Sequence, residues 1–547
     1  TRIGSSLSFW RARRGRGLLK HLPTVPYWLP YAGNALSLGW NTAGFISRLM
    51  KRYGHLTPLR VRAGPLEFCM ITDPNHIKTI CQSSRLLSSK PNIMFTLTRL
   101  LGTPKEVIPF YAADNSGMAM KPREGTTIKP ENRAHYLQAS ISHKYLSGQS
   151  LRGISERFMS FLQQNMAELE IREDHWTEIP DLYAFLQVQV ARAATESIMG
   201  TAIISNNPTL LKDFWEFDRN IRNYARCLPR WLMPSAYKTR DRLLEMMRQW
   251  RRRSNNQSNC SELDSDDTTW DQCSGSKFVR ARELAFSKMG AMNEASIAAE
   301  NLGLMFAFNG STVPVTFWFL FEALKDEVLR NRLLVEARQY GSLEEGNWDL
   351  DNLYKNPLLM SAYAETLRLQ VALPLTRADE FGDFKLAEDY TVPKYMTMAI
   401  FSHIAGTNRD AWAKARPCTV SEPLEKFWAD RFLLKQCNTE KETAHRFSLD
   451  GLAECWLPFG SGQRTCPGRQ LARNEILGTF LVLLGQYECE LTNPQMADRV
   501  RPDLRRVPYG GLPPDTKVAV KIRRRCVCAA PVPQRRSKIC NHQNICS

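Results

Sequence analysis

Cys466 sits in the segment PFGSGQRTCPGRQLA, residues 458–472, with glycines at 460, 462 and 468 around it and an arginine two positions before it. The pattern that follows is helical. This presents a thiolate on a tight loop at the start of a helix. Glycine lets the backbone take positive φ and approach a flat ligand closely. N–H groups freed in the first turn of the following helix can point at the sulfur and stabilise its charge. Arg464 is permanently charged and forked, which suits a carboxylate on such a ligand. Without companions, the same residues read as a buried free cysteine in a Gly-rich turn.

Two companions stand upstream. AETLR at 364–368 puts Glu365 and Arg368 three apart on a segment that reads as a helix, so they share a face. PLEKFWADRFL at 423–433 places Arg431 after an aromatic pair. An E-x-x-R alone is an ordinary surface salt bridge. Order and distance give it weight: E-x-x-R, then F-W-x-D-R-F about sixty residues on, then the cysteine loop about thirty-five beyond. The spacing F-x-x-G-x-R-x-C-x-G is met by Phe459, Gly462, Arg464, Cys466 and Gly468. It resembles the heme-binding signature of the heme-thiolate monooxygenases, the cytochrome P450 superfamily.

That resemblance implies a mainly α fold, one large helical heme domain with a small β-sheet region. It implies heme b as cofactor and Cys466 as the axial ligand of its iron. A thiolate there pushes electron density toward the opposite face and favours O–O cleavage. Hydrogen bonds to the sulfur moderate the push. Phe459, Gly462, Arg464 and Gly468 are then cofactor-binding neighbours, and Arg377 in LPLTRAD a propionate-binding arginine. Glu365, Arg368 and Arg431 become a structural cluster beneath the heme loop. His135 and Lys144 fall in the helix that gives a second propionate contact in the family, but the usual W-x-x-x-R pattern is absent there.

Residues 294–325 read as one long apolar helix, with AFNGST at 307–312 and VPVTFWFLF following. The family pattern there is [AG]-G-x-[DE]-T-[ST], whose acid and alcohol relay protons to dioxygen. By position, Phe308 replaces the glycine, Gly310 the acid and Ser311 the threonine. Thr312 adds a second hydroxyl, and Asn309 offers an amide with no titratable proton. Ser311, Thr312 and Asn309 are therefore the catalytic candidates. The stretch S-T-V-P-V-T-F-W resembles the branch that holds sterol 7α-hydroxylases and prostacyclin synthase. Pro314 removes a backbone hydrogen bond and bends the axis. The bend either widens the site for a bulky ligand or serves packing alone.

Charge and composition set the surroundings. The formal net charge is +18 over 547 residues. Residues 1–20 and 523–547 each carry six basic side chains and no acid, leaving the body about +6. That distribution argues against a nucleic-acid-binding core. It suits docking to an acidic redox partner and to an anionic membrane surface. Residues 1–22 read as an apolar stub and a basic linker of the kind that follows a membrane anchor. Prolines 23, 26 and 30 then form a stiff hinge. Residues 23–522 form the heme domain and 523–547 a basic tail holding Cys526, Cys528, Cys540, His542 and Cys546, in spacings of no known zinc module. Fourteen scattered cysteines point to a reducing compartment. Elsewhere, 56–73 reads as two strands around a Gly-Pro turn and Asp73-Pro74 as a helix start. Residues 91–130 read as a long loop with short helical pieces, 252–275 as an exposed polar loop and 384–402 as strand.

The expected protein is a monooxygenase on the cytoplasmic face of the endoplasmic reticulum, its anchor absent from this chain. It inserts one oxygen atom from O2 into a lipophilic terpenoid, sterol or polyketide. Electrons come from NADPH through a separate cytochrome reductase, with cytochrome b5 a further partner. No Rossmann-type glycine motif follows a strand, so the chain carries no nicotinamide domain. Two alternatives remain: a reductase-independent heme isomerase or dehydratase acting on a peroxide, and a non-catalytic heme-binding protein.

Overall fold

The computed structural model describes residues 2–14, 22–54, 58–257, 270–342, 347–387, 390–435 and 445–526. The run Glu294–Lys325 is apolar on nearly every side, and such a helix must be buried. Among the described helices it is the one long and apolar enough to cross a membrane, yet most of it lies inside the protein, as a core helix does. Pro234–Gln257 packs on its first half, Glu294–Asn309, and Leu182–Met199 on both halves. Arg469–Phe480 and Pro357–Gln370 pack on its second half, Thr312–Lys325, and Gly148–Ala167 closes an outer layer.

Short polar side chains set the helix starts. Asp73 accepts from the N–H groups of Asn75 and His76, with Pro74 in the first position. Asp181, Asp326 and Asn356 cap in the same way. Asn293 and Ser296 satisfy each other reciprocally at the head of the central helix.

The β structure lies to one side, as expected. Strands Leu59–Ala63, Leu66–Met70, Thr397–Phe401 and Pro374–Arg377 follow one another across a sheet. The middle pair is parallel and the outer pairs antiparallel. Register opposes Met398 to Arg377 and so fixes where that arginine leaves the sheet. A second sheet joins Tyr487–Leu491, Val520–Arg524 and Thr177–Ile179. A two-residue pairing of Gly510–Gly511 with Val371–Ala372 ties that later segment to the end of the helix Pro357–Gln370.

Four expectations need correction. The N-terminal stub is a helix, Arg2–Arg14, whose Phe9 is buried against Tyr53 with ring centroids 4.5 Å apart; residues 15–21 lie outside the described residues. The expected loop from 252 begins as helix, because Pro234–Gln257 runs on and Arg252 binds Glu294 at 2.6 and 2.7 Å; residues 258–269 lie outside the described residues. The tail boundary at 523 falls inside a strand that runs to Arg524, where Arg523 binds Glu488; residues 527–547 lie outside the described residues.

The fourth correction concerns the central helix, which is two helices. The break falls at Gly310 and Ser311, not at Pro314. A proline inside a helix costs about 3 kcal/mol or more. In the first turn its missing N–H costs nothing, because those groups have no intrahelical partner anyway. Pro314 is the third residue of Thr312–Lys325, so the break relocates the proline to a tolerated position. The ladder resumes with Val315 N–H donating to the Ser311 carbonyl at 3.2 Å.

Glu365, Arg368 and Arg431 form the lock that the sequence order suggests. All three side chains are fully buried. Glu365 accepts from Arg368 at 2.7 and 2.8 Å, from Arg431 at 2.8 Å and from the Trp428 N–H at 3.1 Å. The remaining Arg431 N–H groups reach the carbonyls of Thr419, Glu422, Pro423 and Lys426. Segment 419–431 is thus pinned to the helix Pro357–Gln370. Removing one member strands a buried charge. Glu365→Gln should lower unfolding free energy by about 3–5 kcal/mol. Arg431→Lys, which cannot serve four carbonyls, should come close to it. A wild-type denaturant midpoint in either variant would show that the cluster is not the lock.

Candidate active site

The cysteine loop is built by close approach. Gly460 and Gly462 have φ of +74° and +64°. A Cβ on Gly462 would lie 2.3 Å from the Ser84 hydroxyl and 3.1 Å from the Cys81 carbonyl, so only glycine fits. Cys466 N–H donates to the Phe459 carbonyl at 2.8 Å, which closes the loop. The Phe459 ring packs near Trp456, centroids 6.1 Å apart. Gly468 is different. Its φ is −82°, and a Cβ there would sit an ordinary 3.9 Å from the Cys466 sulfur. The backbone freedom expected at all three glycines is used at two.

Burial pushes the Cys466 thiol up, against the Gly468 N–H and the charge of Arg469, which pull it down. The loop by itself therefore does not make a thiolate. A metal cation on the sulfur would deprotonate it outright.

Two guanidinium groups flank the loop. Arg377 is buried and donates to the Thr376 and Ser461 carbonyls, at 2.9 and 3.3 Å. Burial lowers its pKa. Burial, with Arg377 and Arg123 nearby, brings Arg464 down to about 10. Among the described residues no carboxylate bonds to either. The local acids are engaged elsewhere: Glu380 with Lys90 at 3.0 Å, Asp114 with Ser116 and the His135 N–H. Arg464, Arg123, Lys90 and His135 line one cleft. Burial holds the His135 imidazole toward its neutral form. This donor set is short of negative charge. It fits a flat ligand that carries carboxylates on its edge and a metal cation at its centre. Heme b has both.

His135 reaches the cleft, whereas Lys144 is exposed over the Tyr145 ring and does not. Arg123 and Lys90 were not legible. They come from the 91–130 region and its edge, where no motif marks them. Arg133, also unmarked, orders that region through the carbonyls of Gly117, Ala119 and Met120.

The helix break supplies hydroxyls. Ser311 Oγ accepts from the Gly511 N–H at 3.2 Å, which leaves its own proton to donate. A Cβ on Gly511 would lie 2.7 Å from the Ser311 carbonyl, and one on Gly510 2.7 Å from Ser311 Oγ. Only glycines let the strand come so near. Thr312 is buried. Gly310 leaves no room for an acid, since a Cβ there would lie 2.8 Å from the Phe306 ring. Asn309 does not join the hydroxyls. It is fully buried, and its amide donates to Thr195 on Leu182–Met199 at 3.4 Å, so its expected catalytic place is corrected to a packing one.

Comparisons with known proteins agree with this geometry. The cytochrome P450 family model matches residues 202–507. The chain is 30% identical to cytochrome P450 monooxygenase fsoE of Humicola fuscoatra, over 94% of this chain and 89% of that one. It is 30% identical to cytochrome P450 monooxygenase efuG of Hormonema carpetanum, over 92% and 90%. It is 25% identical to cholesterol 7-alpha-monooxygenase of Cricetulus griseus, over 90% and 91%. The sterol-hydroxylase resemblance of the sequence is thereby met. With a mainly α fold, a glycine-built cysteine loop and an unneutralised arginine pair beside it, the chain belongs to the cytochrome P450 family and is a heme b monooxygenase.

Proposed function

We propose that this monooxygenase inserts one oxygen atom from O2 into a lipophilic terpenoid, sterol or polyketide, with electrons from NADPH through a separate cytochrome reductase, and that Cys466 is its axial iron ligand. The observation that carries the assignment is the pair Arg464 and Arg377, flanking the cysteine loop with no carboxylate bonded to either among the described residues. Bound heme b supplies the activation of dioxygen. The chain's own residues hold and deliver. Cys466 would hold the iron, and Arg464 and Arg377 would hold the propionates. Ser311, its lone pair given to Gly511, keeps a proton to donate, and Thr312 stands next to it. The sterol in the name of the Cricetulus griseus relative, and the resemblance of the S-T-V-P-V-T-F-W stretch to the sterol 7α-hydroxylase branch, support a polycyclic substrate.

One observation favours a second reading. With Phe306 filling the space beside Gly310, the central helix carries no acid at the usual place. A peroxide-consuming isomerase needs none. NADPH dependence of turnover separates the two.

A membrane surface is supported by exposed aromatics. Tyr31, Trp40 and Trp231 are 95%, 83% and 80% exposed, with Leu36 and Leu232 beside them in sequence. Arg222 and Arg226 tie the two segments together through the Trp40 and Gly39 carbonyls. An aromatic and basic patch of this kind suits the headgroup region of a bilayer. The cytoplasmic face of the endoplasmic reticulum, with cytochrome b5 as a further partner, fits this reading.

The reduced carbon monoxide difference spectrum, with reductase and NADPH as electron source, should show the red-shifted Soret band of thiolate ligation. Cys466→Ala and Cys466→His should each lose it, and an unchanged band in either sinks the assignment. Ser311→Ala combined with Thr312→Ala should slow coupled turnover by about 10²-fold or more and release peroxide instead. Coupling as in wild type would remove both hydroxyls from the mechanism. Trp40→Ser with Trp231→Ser should weaken sedimentation with phosphatidylserine vesicles; equal binding would place the membrane face elsewhere.

A further inference from the structure

The helix Leu210–Arg219 and the turn Leu504–Arg506 meet in a buried ion pair. Both terminal nitrogens of Arg506 are turned to Asp218. Nη2 donates to Oδ1 at 2.6 Å, and Nη1 donates to Oδ2 at 2.8 Å and to the Asp218 carbonyl at 2.7 Å. Arg506 is 8% exposed and Asp218 5%. This end-on fork uses two of the three guanidinium nitrogens. The third, Nε, is buried and has no acceptor among the described residues. Pinning the helix to the turn accounts for both Nη atoms but not for Nε. A buried N–H on a charged group is costly to leave unpaired, so an acceptor brought to it gains that cost back.

The pair stands beside the reacting face. From Ser296 to Phe321 every residue is buried except Gly303, Leu304, Phe306, Ala307 and Ser311. Positions 303, 307 and 311 are four apart and share a face. A core helix open along one face borders an internal space, and Ser311 closes that face at the break. Phe306 belongs to it. Its ring lies where a Cβ on Gly310 would be 2.8 Å away, with the Phe217 ring centroid at 6.2 Å and the Arg506 Cζ at 5.9 Å. Arg506 also stands five residues before Gly511, whose N–H meets Ser311 Oγ at 3.2 Å. One aromatic ring thus separates this guanidinium from the helix break.

Asp218 decides what Nε can take. It already balances the guanidinium, and any anion brought to Nε would be buried beside a carboxylate of like charge. An uncharged oxygen accepts the N–H and buries no new charge.

We propose that Arg506 is a specificity-determining residue of this enzyme: its Nε–H donates to a ketone or hydroxyl oxygen at the end of the substrate away from the oxidised carbon, once the Phe306 ring turns aside. The inference deepens the polycyclic-substrate reading and rests on it. Holding one oxygen at Arg506 fixes which carbon of a rigid skeleton lies near Ser311.

The test titrates the full heme-loaded chain with the steroid hydrocarbon androstane, its ring-A and ring-D monoketones and its monocarboxylic acid, reading the Soret shift. In wild type one monoketone should bind about 10-fold or more tighter than androstane, and the acid no tighter than androstane. Comparing the ratio between proteins cancels the probes' differing solubility. Arg506→Lys keeps a cation beside Asp218 but has no fork with an N–H to spare. It should preserve the pin and lose the ketone preference, with androstane bound as before. Arg506→Met combined with Asp218→Leu replaces the pair by apolar groups, a change that buried ion pairs often tolerate. It should lose the preference too. Phe306→Ala removes the cover and should keep it. The inference is overturned if wild type prefers neither ketone, if the acid binds tightest, or if Arg506→Lys and the double variant keep the wild-type ratio. A preference lost in Phe306→Ala and kept in Arg506→Lys assigns recognition to the ring and overturns it as well. If wild type shows the thiolate carbon monoxide band and no probe moves its Soret band, the polycyclic reading itself fails and takes this inference with it. The wild-type order of ketone, hydrocarbon and acid decides the matter even if no variant folds.

Discussion

Pro314 has no N–H to give to the carbonyl of Gly310, four residues back, and its ring would crowd that carbonyl in a continuous helix. The core's most apolar element must therefore open at Gly310 and Ser311. Everything near the reacting face follows from where it opens. Phe306 closes the space at Gly310, the Ser311 hydroxyl becomes a partner for the Gly511 backbone, and Thr312 begins a new helix with its side chain buried. The same apolar helix also dictates the packing of the long helices around it.

Charge is arranged in two opposite ways. Around Glu365 every donor and acceptor is matched and the charges are sealed from water. Around Arg464 and Arg377 no carboxylate is bonded to either guanidinium among the described residues, and burial lowers the pKa of both. An apolar interior tolerates such a deficit only when a ligand makes it good. The first arrangement is for holding the fold, the second for holding something added to it.

The parts that were legible are those whose chemistry is written in one continuous stretch. The cysteine loop needs its glycines, arginine and cysteine at fixed local spacing, and E-x-x-R needs one helical turn. Strand pairs with a turn between them and Asp-Pro helix starts are local in the same way. What was missed is decided by distant partners. Asn309 differs from Ser311 by two positions, yet Thr195 draws it to the opposite side. Nothing beside Arg123 in sequence shows that it approaches Arg464. Pro314 was read as a bend in one helix, but sequence alone did not say that the chain would open upstream to accommodate it. The tail boundary failed for a similar reason, since Arg523 takes its place from Glu488 across a strand pair.

From the buried ion cluster to the helix break runs a path made almost wholly of main chain. The helix of Glu365 ends at Gln370, whose carbonyl takes the Leu512 N–H at 2.9 Å; Val371 and Ala372 pair with Gly511 and Gly510; and Gly511 N–H reaches Ser311. The Leu512 carbonyl in turn holds the Trp318 indole at 2.7 Å. Backbone atoms do not change when a sequence drifts. Side chains lining a substrate cavity can thus be exchanged over generations, and the range of molecules accepted can widen or move, while the frame that sets the oxygen-side hydroxyl keeps its dimensions. In this chain diversification of substrate and constancy of chemistry are carried by different kinds of atom.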